Sequence, residues 1–235
     1  LTYASWTFRN APGFFDFVTY TGNATAGRTV AHNLGSVPGF IIVKCTSQGA
    51  GWWCYHRSLG NDYAIRMDST AAKTNAANYW NDTTPTSTEF TLGDYGDTNG
   101  SGKTFVAYIF AHDDQSFGTD SDESIIKCGS YTGSSSGVNI NLGFEPQWVM
   151  VKRSDGTGSW YIMDTMRGFT ASNDPVTLKA DSADAEGGLA KYRITSTGFD
   201  WNSDSGDSGQ EYIYMAIRRP HKPPTAGTDV FLLKA

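Results

Sequence analysis

The chain has 235 residues, of which 39% are hydrophobic and 14% are aromatic, so it can form a packed core and is not a wholly disordered protein. Its formal net charge of −6 argues against a protein that grips nucleic-acid phosphates, and we predict no nucleic-acid partner. No apolar run approaches the roughly 20 residues that span a bilayer, so we predict no membrane insertion.

Short strands separated by turn-rich spacers are the elements predicted for the first half of the chain. The apolar run from Phe40 to Val43 lacks polar alternation, as expected of a central strand that is buried on both faces. Residues 71–77 are the only segment that we predict to form a helical turn. The predicted strands lie at Phe15–Thr21, 28–33, 39–45, 52–57, 63–68, 88–92 and 104–111.

The second half of the chain repeats the pattern of the first. The stretch "YTGNATAGRTVAHNLGSVPGFIIVK" from Tyr20 matches "YTGSSSGVNINLGFEPQWVMVK" from Tyr131. Further along, "TSTEFTL" recurs as "TSTGFDW" and "FVAYIFA" as "YIYMAIR", in the same order. Ordered matches of this kind indicate a tandem duplication. We therefore predict an all-β fold of two tandem β-sandwich repeats, at residues 15–118 and 119–220.

The two ends of the chain are out of phase with this repeat. Residues 1–14 read as the orphan last strand of a preceding repeat, and residues 221–235 as a linker and the orphan first strand of a following one. Each orphan strand either lies on a sandwich of its own chain or adds to a sheet of a neighbouring subunit. We expect contact between chains at one end or both, so the protein itself is a predicted partner, in a homo-oligomer or a head-to-tail assembly. The apolar residues of these assembly strands are Tyr3, Trp6, Phe8, Val230, Phe231, Leu232 and Leu233.

Three cysteines are an odd number, and they lack the spacing of metal ligands. Cys45 and Cys54 flank the turn "TSQGAGWW" and are candidates to face each other across a hairpin. We expect them to be unbonded, because pairs on neighbouring strands fit disulfide geometry poorly.

Aromatic residues in loops or at strand ends are the candidate ligand-binding residues: Trp52, Tyr79, Trp80 and Tyr95. Exposed aromatic faces stack on sugar rings and anchor protein interfaces. The alternative is that these rings cap the ends of the sandwiches. Features shared by both copies, such as Gly35 and Gly143, most simply maintain the fold, so function is to be sought where the copies differ.

The sequence gives little support to catalysis or cofactor binding. The four histidines are scattered, and no Gly-x-Ser-x-Gly pattern ends a strand, so we predict no metal ligands and no catalytic residues. The acidic loops at 113–124 and 202–209 offer oxygen ligands suited to Ca²⁺, but neither matches an EF-hand. We predict no cofactor, with Ca²⁺ as the alternative to a solvated acidic connector.

Five motifs, in order along the chain, resemble a family of repeat domains in phage tail-associated proteins, typical of cyanophages and marine phages. They include "WTFRNAPGFFDFVTYTGN", "YWNDTTPTSTEFTLG", "TFVAYIFAHDD" and "YIYMAIRRP". The resemblance implies a tail fibre or spike segment at the virion surface or outside the cell, and it supplies no catalytic residues.

We therefore expect a non-enzymatic structural or adhesion protein that contacts other virion proteins or the host surface, including host surface glycans. The first alternative is a self-assembling extracellular filament subunit that is linked by exchange of end strands. The second is a tail enzyme that degrades glycans, which would need two carboxyl groups converging on one cleft.

Overall fold

A computed structural model describes residues 5–118, 121–172, 175–189, 191–202 and 207–218. Of these residues 43% lie in strands and 4% in helices, which confirms the all-β prediction. The strands of the first half are β1 (Phe15–Thr21), β2 (Arg28–Ala31), β3 (Phe40–Cys45), β4 (Trp52–His56), β5 (Tyr63–Arg66), β6 (Thr74–Asn75), β7 (Glu89–Leu92) and β8 (Thr104–Phe110). Those of the second half are β9 (Ile126–Thr132), β10 (Val138–Asn141), β11 (Pro146–Arg153), β12 (Trp160–Asp164), β13 (Val176–Lys179), β14 (Gly187–Gly188), β15 (Tyr192–Thr195), β16 (Gly198–Trp201) and β17 (Glu211–Arg218).

The helical turn predicted at residues 71–77 is wrong. This segment is extended and contains β6, which pairs with β5 through Ala64 and Thr74. A helix of two turns is marginal by itself, whereas pairing with an exposed sheet edge satisfies backbone groups at once. The α-helix α1 instead lies at Gly96–Asn99, and a 3₁₀ turn follows β12 at Thr165–Arg167.

The two halves have the same strand order. The large sheet of the first half runs β1-β8-β3-β4-β5-β6, and that of the second half runs β9-β17-β11-β12-β13-β14. Each half also has a small sheet, β2-β7 in the first and β10-β16-β15 in the second. Every counterpart strand therefore occupies the same place in its sheet, and β15 is the addition in the second half. The architecture is all-β and sandwich-like.

The repeated motifs have matching structural roles. Gly35 and Gly143 have φ angles of 75° and 77°, a left-handed conformation that glycine adopts without steric cost. Tyr20 stacks on Phe105 with ring centroids 5.1 Å apart, and Tyr131 stacks on Tyr212 at 5.0 Å. The shared motif thus specifies the turn that precedes the central strand and the cross-strand aromatic pair at the sheet edge.

The two large sheets also pack against each other, through the faces that point away from the small sheets. The rings of Phe40 and Trp160 lie 6.1 Å apart across this contact, and Trp160 Nε1 donates to the carbonyl of Arg66 at 2.8 Å. One hydrophobic core therefore combines the first half with the outward-facing residues of the second large sheet, namely Ile126, Cys128, Trp148, Met150, Trp160, Ile162, Ile213 and Met215. A second, smaller core lies inside the second half.

Candidate functional site

Three of the predicted ligand-binding residues lie at one end of the first half. Tyr79 is 5% exposed and its ring lies 4.5 Å from that of Trp53 and 4.4 Å from that of Tyr95. Trp80 is buried, and its Nε1 donates to the carbonyl of Tyr63 at 3.0 Å. Burial, together with the hydrogen bond between the Tyr79 and Tyr95 hydroxyls, raises the pKa of Tyr79. The structure places Tyr79 and Trp80 in the core, where they close this end of the half, and leaves Tyr95 half-buried beside them.

Trp52 lies apart from these three, on the outward face of the first large sheet. Its ring stacks on that of Tyr108 with a centroid distance of 6.4 Å and an interplanar angle of 12°. Lys44 Nζ lies 5.4 Å from the Trp52 ring centroid, and the Lys44 ammonium donates to the carbonyl of Ala50. This cation–π contact and the hydrogen bond hold the indole in place.

An aromatic surface extends from Trp52 across the sheet. Phe17 lies opposite Tyr108 in the β1–β8 register and is 52% exposed, while Val106 opposes Lys44 on β3. Side chains on one face of paired strands line up in this way because the side-chain period of a strand is two. We define the outer aromatic face as Phe17, Lys44, Trp52, Val106 and Tyr108.

The counterpart of the outer aromatic face in the second half is buried. By strand register the equivalent positions are Cys128, Lys152, Trp160, Ile213 and Met215, each at most 2% exposed. They are covered by the first half, and Lys152 Nζ donates to the carbonyl of Thr70 at 3.2 Å. Burial lowers the pKa of Lys152 to about 8. The same sheet face thus serves as an internal contact in one half and lies partly open in the other.

Sequence reasoning identified Trp52 but missed the rest of the outer aromatic face. Phe17, Val106 and Tyr108 lie within strands, where an apolar residue is normally assigned to a core. The signal available in the sequence was the second-copy counterpart of Phe17, which is Cys128, a small residue at a position that becomes buried.

Residues 5–10, the described part of the predicted N-terminal strand, pair with no sheet of their own chain. Trp6 and Phe8 instead pack into the crevice between the two halves. The Phe8 ring lies 5.4 Å from Phe110 and 6.2 Å from Trp148, and Trp6 Nε1 donates to Asp164 Oδ2 at 3.1 Å. Packing of the two aromatic side chains in this crevice holds the segment in place without a sheet partner in its own chain. Tyr3, Val230, Phe231, Leu232 and Leu233 lie outside the described residues.

The acidic loops form ion pairs in the parts that the structure describes. Glu123 pairs with Arg218 at 2.6 Å, Asp113 with Lys127 at 3.3 Å, and Asp207 with Lys191. Within the described ranges, no three His, Cys, Asp or Glu side chains are grouped so that they hold a metal ion. Residues 119–120 and 203–206 of the acidic loops lie outside these ranges, so Ca²⁺ stays a prediction.

The three cysteines are free thiols. Cys45 points to the inner face of the first large sheet, because it follows Val43 in the alternation of β3, whereas Cys54 pairs with Ile42 on the outward face. The two side chains lie on opposite sides of the sheet, and this excludes a bond between them.

The geometry defines a class of protein, namely an all-β chain whose two halves repeat one strand order. One hydrophobic core is shared by both halves, and a second core lies within the second half. Residues 4–220 match the family model described as a domain of unknown function, DUF7483, and the chain belongs to this family. Comparisons with the curated proteins and with the solved structures gave no match. Among the described residues, no helix has the length and apolar character to cross a membrane.

Proposed function

We propose that this protein is a non-enzymatic structural and adhesion segment of a phage tail fibre or spike, located at the virion surface. The motif resemblance supports the virion context. The observation that carries the structural role is the outer aromatic face, which presents Phe17 at 52% exposure beside the Trp52–Tyr108 stack. A rigid β scaffold with exposed aromatic rings is suited to holding subunits together.

The occupant of the outer aromatic face in this proposal is a second copy of the chain. Within the chain, the equivalent face of the second half is already buried by sheet-on-sheet packing, as the Phe40–Trp160 contact shows. The outer aromatic face continues this internal contact on the same sheet. Two copies that meet through it would bury Phe17 and Trp52 by the packing mode that the halves use.

Labelling of particles tests the virion assignment. Antibodies raised against the recombinant chain are expected to label the tails of purified phage particles from the source of the gene in immunogold electron microscopy. Label on the head, or particles that carry none, would overturn the assignment.

Mass measurement tests the contact surface. Size-exclusion chromatography with light scattering should give an oligomer for the unmodified protein, and Phe17→Ser with Trp52→Ser should weaken its association at least about tenfold, as expected for aromatic anchor residues. Met166→Ser is the matched control, because Met166 is 85% exposed and lies outside the outer aromatic face. A monomeric unmodified protein, or equal weakening by the control, would refute this contact.

A further inference from the structure

The second half is open at the end where the first half is closed. A cleft of about 200 Å³ lies there, between the large sheet and the small sheet. We call it the second-half cleft, and the lining residues that matter here are Arg153, Tyr161, Lys191, Trp201, Asp207 and Tyr212.

Strand register identifies the matching place in the first half. Trp53 opposes Val43 on β3 as Tyr161 opposes Val151 on β11. In the first half this end is filled, because the Trp53 ring packs at 4.5 Å on Tyr79 and at 5.4 Å on Tyr95. Trp53 is therefore buried, whereas Tyr161 is only half-buried and lines the cleft.

The sequence explains why the two ends differ. Tyr95 comes from the stretch 93–103, "GDYGDTNGSGK", and its counterpart at 202–210, "NSDSGDSGQ", contains no aromatic residue. Leu189, which is not aromatic, also lines the second-half cleft. The duplicated scaffold therefore keeps the same aromatic position on β4 and β12, but among the described residues Trp53 has ring partners, Tyr79 and Tyr95, whereas Tyr161 has none.

Polar groups with defined partners surround the half-buried Tyr161. Asp207 pairs with Lys191 and accepts a hydrogen bond from the Tyr212 hydroxyl at 3.2 Å. Arg153 Nε donates to Asp155 at 2.8 Å. Each cation is thus paired with a carboxylate, so the site carries both donors and acceptors with its charges balanced. This combination suits a neutral ligand that is rich in hydroxyl groups.

We propose that the second-half cleft binds one neutral sugar residue of a glycan, with a face of the sugar ring against Tyr161 and its hydroxyls bonded by Arg153 and Asp207. The proposal rests on the adhesion role proposed above and names its ligand class. Aromatic rings accept the apolar face of a sugar by close packing, while planar charged groups bind neighbouring hydroxyls. The volume is below the roughly 300–1,000 Å³ of sites for drug-sized ligands, which limits the cleft to about one ring.

Saturation-transfer NMR with the full chain tests the proposal. The probes are the methyl glycosides of glucose, galactose, mannose and glucuronic acid, and we expect one or more neutral glycosides to bind with a dissociation constant on the order of 1 mM. Tyr161→Ala should weaken binding at least about tenfold through loss of the stacking surface. Leu189→Tyr should do the same by adding a ring to the cleft wall, in imitation of the closed first half.

Tyr63→Ala is the matched control, because Tyr63 is also half-buried but lies on β5 of the first half. Circular dichroism checks that each variant is folded. The proposal is overturned if no neutral glycoside binds, if the glucuronide binds best, or if both cleft variants bind like the control. Failure here with tail labelling intact would remove the cleft proposal alone, whereas loss of tail labelling would remove the virion role.

Discussion

The buried residue His56 lies at the contact between the two halves and makes the stability of this contact depend on pH. Its Nε2 lies 3.0 Å from the carbonyl of Tyr214, to which it donates, and its Nδ1 accepts from the backbone N–H of Ser58 at 3.2 Å. Both ring nitrogens are therefore satisfied only in the neutral form. Burial is the main cause that lowers the pKa of His56 to about 4.

We predict that acid weakens the fold through His56. Because the folded-state pKa is below the usual 6.5, the unfolded state binds more protons between these values, and stability falls as pH falls through this window. The free energy of unfolding in denaturant should drop by about 2 kcal/mol from this residue between about pH 7.5 and about pH 5. His112 has a pKa lowered to about 4 as well, mainly by burial, and adds to the loss.

His56→Gln should remove the part of the pH dependence that His56 causes, since the glutamine amide donates but does not titrate in this range. Ile65→Val is the control, because it should lower the free energy of unfolding about equally at both pH values. An unchanged pH dependence in His56→Gln would contradict the assignment.

Single residues also mark the limit of prediction from sequence. The turn role of Gly35 follows from a local pattern and is found in both halves. Gly39 is different, because a Cβ atom there would lie 2.7 Å from His112 Cβ and 2.8 Å from Cys128 Sγ. That close approach comes from the packing of β9 against the first half, and a sequence pattern around Gly39 does not contain it.

At the scale of elements, side-chain contacts hold the N-terminal segment in the crevice between the two halves. Asp164 accepts from Trp6 Nε1, and it also accepts from Arg167 Nε at 2.7 Å, while the Arg167 guanidinium lies 5.1 Å from the Trp6 ring centroid. The indole thus sits between a carboxylate and a cation that are themselves paired. Trp148 supplies the apolar wall at 6.4 Å.

We predict that Trp6→Ala and Phe8→Ala each lower the free energy of unfolding by about 2 kcal/mol, because half-buried aromatic packing is lost. Thr7→Ala, an exposed position between them, should change it by less than about 0.5 kcal/mol. Chemical denaturation measures all three. Equal effects at the three positions would show that Trp6 and Phe8 contribute no specific packing.

Element positions were largely predictable, whereas their packing was not. Seven predicted strands of the first half correspond to observed strands, because alternation and turn residues are local signals. The short strand β6 was missed because it depends on an edge partner. The apolar run of β3 correctly indicated burial on both faces, but it did not tell whether the second face meets a small sheet, a large sheet or another chain.

At the scale of the molecule, the shared core makes the second half dependent on the first. Separation of the halves would expose Trp148, Met150 and Ile162 together with Ile213 and Met215. A contiguous apolar surface of this kind favours aggregation. The two halves therefore share one strand order, but they expose different surfaces to solvent.

We predict that residues 119–220 alone are aggregated, and that co-expression with residues 1–118 as a separate chain yields a soluble complex. Co-purification through a tag on one fragment, followed by light scattering, measures this. A monodisperse and folded second fragment would contradict the dependence on the first half.

The contact between Phe40 and Trp160 joins positions that are not equivalent in the two halves. Trp148, the counterpart of Phe40, packs on Trp6 and Phe8, while Trp52, the counterpart of Trp160, stacks on Tyr108. The two halves are therefore not related by an internal twofold axis, and opposite sides of the molecule present different residues. A chain with this polarity can be oriented along an axis, so that one end is joined to a particle while the other points outward.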